Sequence, residues 1–362
     1  MYSALRHCPS IFYKSQPIHL TLFLTRRCNA RCPFCFYLKS KSSLENNIDE
    51  LSLDEIEKIS QSMNKLLWLA FSGGEIYLRK DLVEISELFY QRNKPVFMLF
   101  PTNGLMPRLI KQQTEKILQR CPNSIIAVKL SIDDLEEKHD TLRNTPNSFI
   151  KNIRTYELLG DLVDQYENFE LGVNTVFCAQ NQDNMRSIID YVHGMEHIST
   201  HTISLVRGNL INEEFKKVDL NKYQQATDYL KHNTRTRQDN VYRFKGARLK
   251  AAQDIVQRRL ILKTVQQRRR QIPCYAGTTN LVISESGEVY PCEIRTESFG
   301  NLRNYDYNLQ QVLNTPAGEH IMSSIKNNQC HCTHECNFMT NILLNPRLYP
   351  KLMEEYMQIK TD

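Results

Sequence analysis

Cysteine sets this sequence apart: there are eleven in 362 residues, and eight of them fall in two short groups. The first group, Cys28-Asn29-Ala30-Arg31-Cys32-Pro33-Phe34-Cys35, has CX3CX2C spacing. Thiolates hold iron–sulfur clusters, and cysteines this close let one loop wrap a cluster. Three ligands on a four-iron cluster leave one iron open to a chelating small molecule. The competing reading is a zinc loop. Structural zinc takes four ligands, commonly as paired short-spaced cysteines, and three thiols in one loop fit that poorly. In the second group Cys274 is followed by twelve residues, Gly287, four residues and Cys292; then come Cys330, Cys332 and Cys336. Zinc held with the help of His331 or His334 is the alternative there.

These thiols need elements to position them. Between Pro17 and Gly208 strand-like apolar runs (18–25, 67–72, 96–101, 124–133, 169–178, 202–207) alternate with stretches of helical periodicity. Six strands alternating with helices imply parallel βαβ units. The expected fold class is α/β: an open, partial (β/α)6 TIM-like barrel with a small C-terminal domain built from a β-hairpin plus helices. The hairpin signal is Ser286-Gly287 between 281–284 and 288–290, and it would bring Cys274 and Cys292 together. The expected divisions are 1–215 for the barrel core, 216–271 for a basic helical connector, 272–340 for the small domain and 341–362 for a closing helix. In parallel barrels functional residues gather at the C-terminal ends of strands, where nearly all the candidates here lie.

Hydrophobic residues make up 41% and charged residues 24%, a globular mix. The longest apolar runs, such as Leu66 to Phe71, are too short to span a bilayer, and no signal peptide is visible, so a cytoplasmic protein is expected. In that compartment clustered cysteines mean metal or redox chemistry rather than disulfides. Much of the net charge of +6 sits between Lys231 and Arg270. A solvated helix face is the plain reading and a surface for an acidic substrate the sharper one. No aromatic-rich RNA-binding signature accompanies it, so nucleic acid is not an expected partner.

CX3CX2C with Phe34 before the last cysteine resembles the signature of the radical S-adenosylmethionine (SAM) superfamily. Ser72-Gly73-Gly74-Glu75 resembles that family's GGE motif, which binds the SAM amino group; Ile76 stands where proline often follows. Leu130-Ser131-Ile132-Asp133 resembles the segment that contacts the SAM ribose and carboxylate, with a polar strand end as its bland reading. His139-Asp140 and Arg143 fit the same pattern, and Asn174 and Leu205 to Arg207 more weakly. The resemblance covers roughly residues 18–208. It implies a SAM-cleaving 4Fe-4S cluster on Cys28, Cys32 and Cys35. It implies SAM bound by Phe34, Gly73, Gly74, Glu75, Ser131, Asp133 and Asn174, and a low-potential donor of the flavodoxin or ferredoxin type. The second cysteine group resembles the SPASM and twitch extensions, which carry auxiliary 4Fe-4S clusters. A full SPASM extension has seven characteristic cysteines and this one has five, which points to the single-cluster twitch form or a reduced SPASM domain. Cys274, Cys292 and Cys336 are the firmest expected ligands, with Cys330 or Cys332 as the fourth.

The resemblance implies reductive cleavage of SAM to a 5′-deoxyadenosyl radical that abstracts hydrogen from a substrate. The expected reaction is dehydrogenation of a small polar, sugar-like molecule or of a peptide side chain, with the auxiliary cluster as electron acceptor. Glu293, next to Cys292, is the candidate base. Radical epimerisation is the alternative, with Cys178 as hydrogen donor, although a lone strand cysteine is commonly core filler. Peptide cross-linking is a third chemistry. Nothing resembles a leader-peptide-binding domain, which leans toward a small substrate. A non-catalytic electron-transfer or metal-binding scaffold is the reading from another class.

Overall fold

The computed structural model describes residues 1–37, 49–236, 242–327 and 330–360. Six strands, β1 (His19–Thr25), β2 (Trp68–Gly73), β3 (Phe97–Thr102), β4 (Ile125–Ser131), β5 (Phe169–Phe177) and β6 (Thr200–Leu205), pair parallel in sequence order. Six helices return the chain between them: α1 (Leu53–Gln61), α2 (Leu82–Arg92), α3 (Pro107–Arg120), α4 (Glu136–Leu142), α5 (Ser148–Gln165) and α6 (Met185–His193). This is the expected open α/β barrel. Strand side chains alternate between faces. Leu69, Met98, Val128 and Leu171 are buried in the main apolar core, while their neighbours Ala70, Leu99, Lys129 and Gly172 line a central cavity.

The C-terminal hairpin does not form a sheet of its own, a point that strand periodicity did not reveal. β7 (Asn280–Ile283) pairs parallel with β1, from His19 opposite Asn280 to Leu22 opposite Ile283. β8 (Glu288–Tyr290) runs antiparallel to β7, and β9 (Gly300–Asn301) to β8, giving one nine-stranded sheet. An open barrel leaves β1 with a free edge, and an all-buried Asn-Leu-Val-Ile strand covers it. The Cys274–Cys292 hairpin is thereby fixed against the strand that carries the first cysteine loop.

The basic connector folds as α7 (Leu220–Thr236) and α8 (Ala247–Gln267), and its residues 237–241 lie outside the described residues. Much of its charge is structural. Arg235 (2.6 Å) and Arg259 (3.5 Å) both reach the buried carboxylate of Glu355 on α12 (Tyr349–Gln358), counting α9 (Leu309–Leu313), α10 (Pro316–Lys326) and α11 (Glu335–Leu343) before it. Arg248 donates to the Ile359 carbonyl at 2.8 Å. Helix α11 begins one residue before Cys336, so the cysteine-dense segment is a loop leading into a helix. Among the described residues no helix is long and apolar enough to cross a membrane.

Glu55 ties α1 to the segment that follows β9. It closes the capping box of α1 with Ser52, accepts two bonds from Arg303 (2.6 and 3.2 Å) and a third from the Tyr307 hydroxyl at 2.8 Å. Arg303 first, against opposing burial, holds its carboxyl down at about 2. A depressed carboxyl stabilises the fold above the ordinary pKa of 4.5 and loses that contribution as pH falls from 4.5 toward 2. Glu55→Gln keeps the capping box but loses the ion pair. It should cost about 1–2 kcal/mol at pH 7 in denaturant unfolding, a difference that shrinks below pH 4.

Candidate functional site

The first cysteine loop leaves the end of β1 and lies directly on the turn after β2. The Gly74 N–H donates to the Thr25 carbonyl (2.7 Å) and the Glu75 N–H to that of Arg27 (2.9 Å). A Cβ on Gly74 would sit 2.0 Å from the Arg27 carbonyl oxygen, and Gly73 has a φ of +113°. Glycine is required at both positions by contact and backbone geometry. The result is one cavity of about 200 Å³ lined by Cys28, Cys32, Cys35, Gly73, Gly74 and Glu75, with Asn103, Ser131 and Arg143 completing the wall.

Glu75 is buried, and its hydrogen-bond partners are neutral: the Thr102 hydroxyl (2.9 Å) and the backbone N–H groups of Asn103 (2.8 Å) and Tyr77 (3.3 Å). Burial outweighs these bonds and pushes the carboxyl up to about 7. Arg143 on the same cavity wall offsets this only in part, and a ligand ammonium group here would add counter-charge. Asn103, at the end of β3, donates to Asn29 Oδ1 at 2.7 Å and so braces the cysteine loop. Its backbone carbonyl and that of Ser131 are held by Asn152 (3.1 and 2.8 Å).

Ser131 lies on the wall, but Asp133 does not. Its carboxylate is buried and taken by Arg143 (2.7 Å) and the Val176 N–H (2.7 Å). The side chain that reaches the cavity is Arg143, which Asp133 holds in place. Phe34 packs against Phe215 and faces the central cavity, as does Asn174, whose Oδ1 accepts from Ser204 at 2.9 Å. Cys178 is fully buried among Phe34, Val206 and Leu210, bonded to Asn181, with its thiol pushed up to about 11 by burial. It lines neither cavity, so its placement is that of core filler.

The central cavity, about 350 Å³, shares Ser72, Pro101 and Ser131 with the first. At its far side stand Glu293, His334, Glu335, Arg207 and Cys336. Glu293 pairs with His334 (3.0 Å) and lies 3.7 Å from Arg207, which also binds Glu335 at 2.6 Å. Burial raises the Glu293 carboxyl, but His334 and Arg207 outweigh it and hold it at about 2. Burial lowers His334, but the Glu293 charge carries it up to about 10. Behind this wall a smaller cavity of about 50 Å³ is ringed by Cys274, Cys292, Cys330 and Cys332, with Arg270 donating to Cys330 Sγ at 3.2 Å. Cys336, expected among the firmest ligands, is placed elsewhere. The start of α11 turns it toward the central cavity, and both Cys330 and Cys332 stand with the hairpin thiols. His334 and Glu335 were not picked out as cavity groups because helical phase inside a Cys/His-dense loop is not readable from residue types.

A family model of the radical SAM superfamily matches residues 22–192, and one of the iron–sulfur cluster-binding SPASM domain matches residues 274–337. The chain belongs to the radical SAM superfamily. Among curated relatives, this radical SAM chain is 27% identical to the antilisterial bacteriocin subtilosin biosynthesis protein AlbA of Bacillus subtilis, over 83% of the chain and 60% of that protein. It is 28% identical to Fe-coproporphyrin III synthase of Methanosarcina barkeri, over 61% and 55% respectively. It therefore spans less than two thirds of either relative. Its fold matches that of anSMEcpe solved with bound AdoMet and a Cp18Cys peptide, at a TM-score of 0.59 and 16% identity, over 94% of this chain and 99% of that one. The two family domains imply a SAM-binding 4Fe-4S cluster and auxiliary iron–sulfur ligation, as the cysteine spacing anticipated.

Arg143→Met leaves the Asp133 carboxylate buried without its partner and should destabilise the apoprotein by about 3–5 kcal/mol in chemical unfolding. Loss of less than about 1 kcal/mol would mean that Asp133 is not held by this pair.

Proposed function

We propose that this radical SAM enzyme modifies a peptide side chain seated in the central cavity. The observation that carries the reading is the adjacency of three cavities, with the Ser72, Pro101 and Ser131 wall on one side and the Cys292–Glu293 wall on the other. Cys28, Cys32 and Cys35 would hold the first 4Fe-4S cluster and Cys274, Cys292, Cys330 and Cys332 the second, with Glu75 taking the SAM amino group. When bound, these groups would supply the radical that removes a hydrogen atom and the acceptor for the remaining electron. A peptide is favoured over a sugar because the relative matched over most of this chain serves bacteriocin biosynthesis. The aromatic lining of Trp68, Phe97 and Phe244 also suits a side chain with an apolar stem.

Within that reaction the chain's own residues orient and move protons. Arg207 fixes Glu293 and Glu335 toward the cavity, and the Glu293 carboxylate, kept ionised by His334 and Arg207, accepts the proton released from the substrate. A second reading rests on Cys336, a thiol facing the same cavity. Hydrogen-atom donation from it to the substrate radical would give epimerisation, and the thiyl left behind would need one electron and one proton for its repair.

Iron content after anaerobic reconstitution tests the ligand sets. Wild type should hold about eight irons, the Cys28/Cys32/Cys35→Ala variant about four, and Cys336→Ala the full eight. Loss of iron in Cys336→Ala would return that thiol to the second cluster. The reaction itself is read by reducing the holoenzyme with SAM and peptides encoded beside its gene. Dehydrogenation removes a hydrogen pair by mass, whereas epimerisation in heavy water adds one deuterium. Glu293→Gln should slow dehydrogenation by about 10²-fold while substrate-free SAM cleavage persists.

A further inference from the structure

The inward face of β4 carries Ser131 at the wall shared with the first cavity and Lys129 two residues earlier, about 7 Å deeper along the strand. Lys129 lines the central cavity, and its Nζ donates to the Thr200 hydroxyl. Among the described residues no carboxylate lies within 4 Å of that Nζ. Of the neighbouring acids, Asp254 is bound by Lys250 and by the Tyr242 hydroxyl (2.8 Å), and Glu170 accepts from the Arg243 N–H (2.6 Å) through one oxygen while its other oxygen has no hydrogen-bond partner among the described residues. Lys250 and Arg258 add positive charge around Lys129, and Asp254 and Glu170 oppose it from beyond ion-pair distance. Burial first, then Lys250, brings the amine down to about 8. The space around it is reserved by Gly172. A Cβ there would lie 2.4 Å from Nζ and 2.6 Å from the Thr200 hydroxyl oxygen.

We infer that the floor of the central cavity is an anion-binding subsite in which the Lys129 ammonium receives a carboxylate of the substrate. This rests on the central cavity being the substrate's. A buried, unpaired ammonium is costly to the free protein and is relieved by an anion that enters with its ligand. Trp68 and Phe97, stacked at 4.9 Å, flank the same floor and suit an aliphatic stem carrying the acid, as in a glutamate side chain.

The test uses the reconstituted holoenzyme with SAM, unreduced so that nothing turns over, and follows thermal unfolding with three probes. These are N-acetylglutamate amide, its uncharged isostere N-acetylglutamine amide, and inorganic phosphate. The glutamate probe should stabilise wild type and the glutamine probe should not. Lys129→Met should bind the glutamate probe about 10-fold or more weakly, as expected for one lost charge-assisted bond, and should itself unfold at higher temperature than wild type. Gly172→Ala, which crowds the ammonium without removing it, should weaken the same response. Equal stabilisation of wild type and Lys129→Met overturns the subsite, as does absence of any response. A response to phosphate alone overturns the carboxylate assignment. Wild type that binds the glutamate probe yet cleaves no SAM on reduction would sink the catalytic reading while leaving the subsite standing.

Discussion

The site depends on two backbones lying closer than any side chain would allow. Where β2 ends, Gly73 and Gly74 press against residues 25–27, and a methyl group at either position would meet a carbonyl oxygen at 2.5 or 2.0 Å. That contact fixes the origin of the cysteine loop relative to Glu75, whose side chain is then held by the end of β3. Asn103 closes the circuit by reaching back to Asn29. Three strand ends are thus locked by main-chain contacts and short polar bridges. A three-thiol site gains from this, because its open position is useful only if the ligand's anchor stands at a fixed distance.

The second cysteine group is registered to the first through the sheet. Since β7 pairs with β1, the strand before Cys28 and the strand of the Cys274–Cys292 hairpin are neighbours. The central cavity is lined by β1 to β6 together with Glu293 and Cys336 of the second group, and the β1–β7 ladder sets where that second wall stands. Glu293 belongs to the second wall by chain position and to the cavity by side-chain direction. Its partners Arg207 and His334 come from the end of β6 and the start of α11, so the wall forms only when barrel and extension are assembled together.

Most of the fold was legible because its elements are periodic: the six strands and the flanking helices fall close to where apolar spacing puts them. The chemistry at the first cysteine group was legible because Cys28, Cys32, Cys35 and Glu75 are contiguous in short motifs. The remainder depends on directions that sequence does not print. Asp133 and Arg143 both fit the family pattern, yet only their packing says which is the buried support and which reaches the cavity. Cys336 and Cys332 are four residues apart, and the start of α11 between them turns one toward the central cavity and leaves the other with the hairpin thiols. The pairing of β7 with β1 was invisible because an all-buried four-residue strand carries no alternation from which to read a partner.

Charge is distributed according to the same division between scaffold and site. The buried acids of the scaffold are answered within the chain: Asp133 by Arg143, and Glu355 by Arg235 and Arg259. On the cavity walls the balance is left open. Glu75 is hydrogen-bonded by neutral donors alone, with Arg143 acting on it from across the cavity, while Lys129 is bonded by a hydroxyl, with Asp254 and Glu170 farther off. Each costs the empty protein stability, because a low-dielectric wall penalises an incompletely matched charge whichever sign it carries. The two stand at different depths of adjoining cavities and have opposite signs. A ligand amine near the cysteine loop and a ligand acid at the barrel floor would therefore be sorted by charge before any shape was read. Glu293 and His334 stand apart from both, already paired and net neutral.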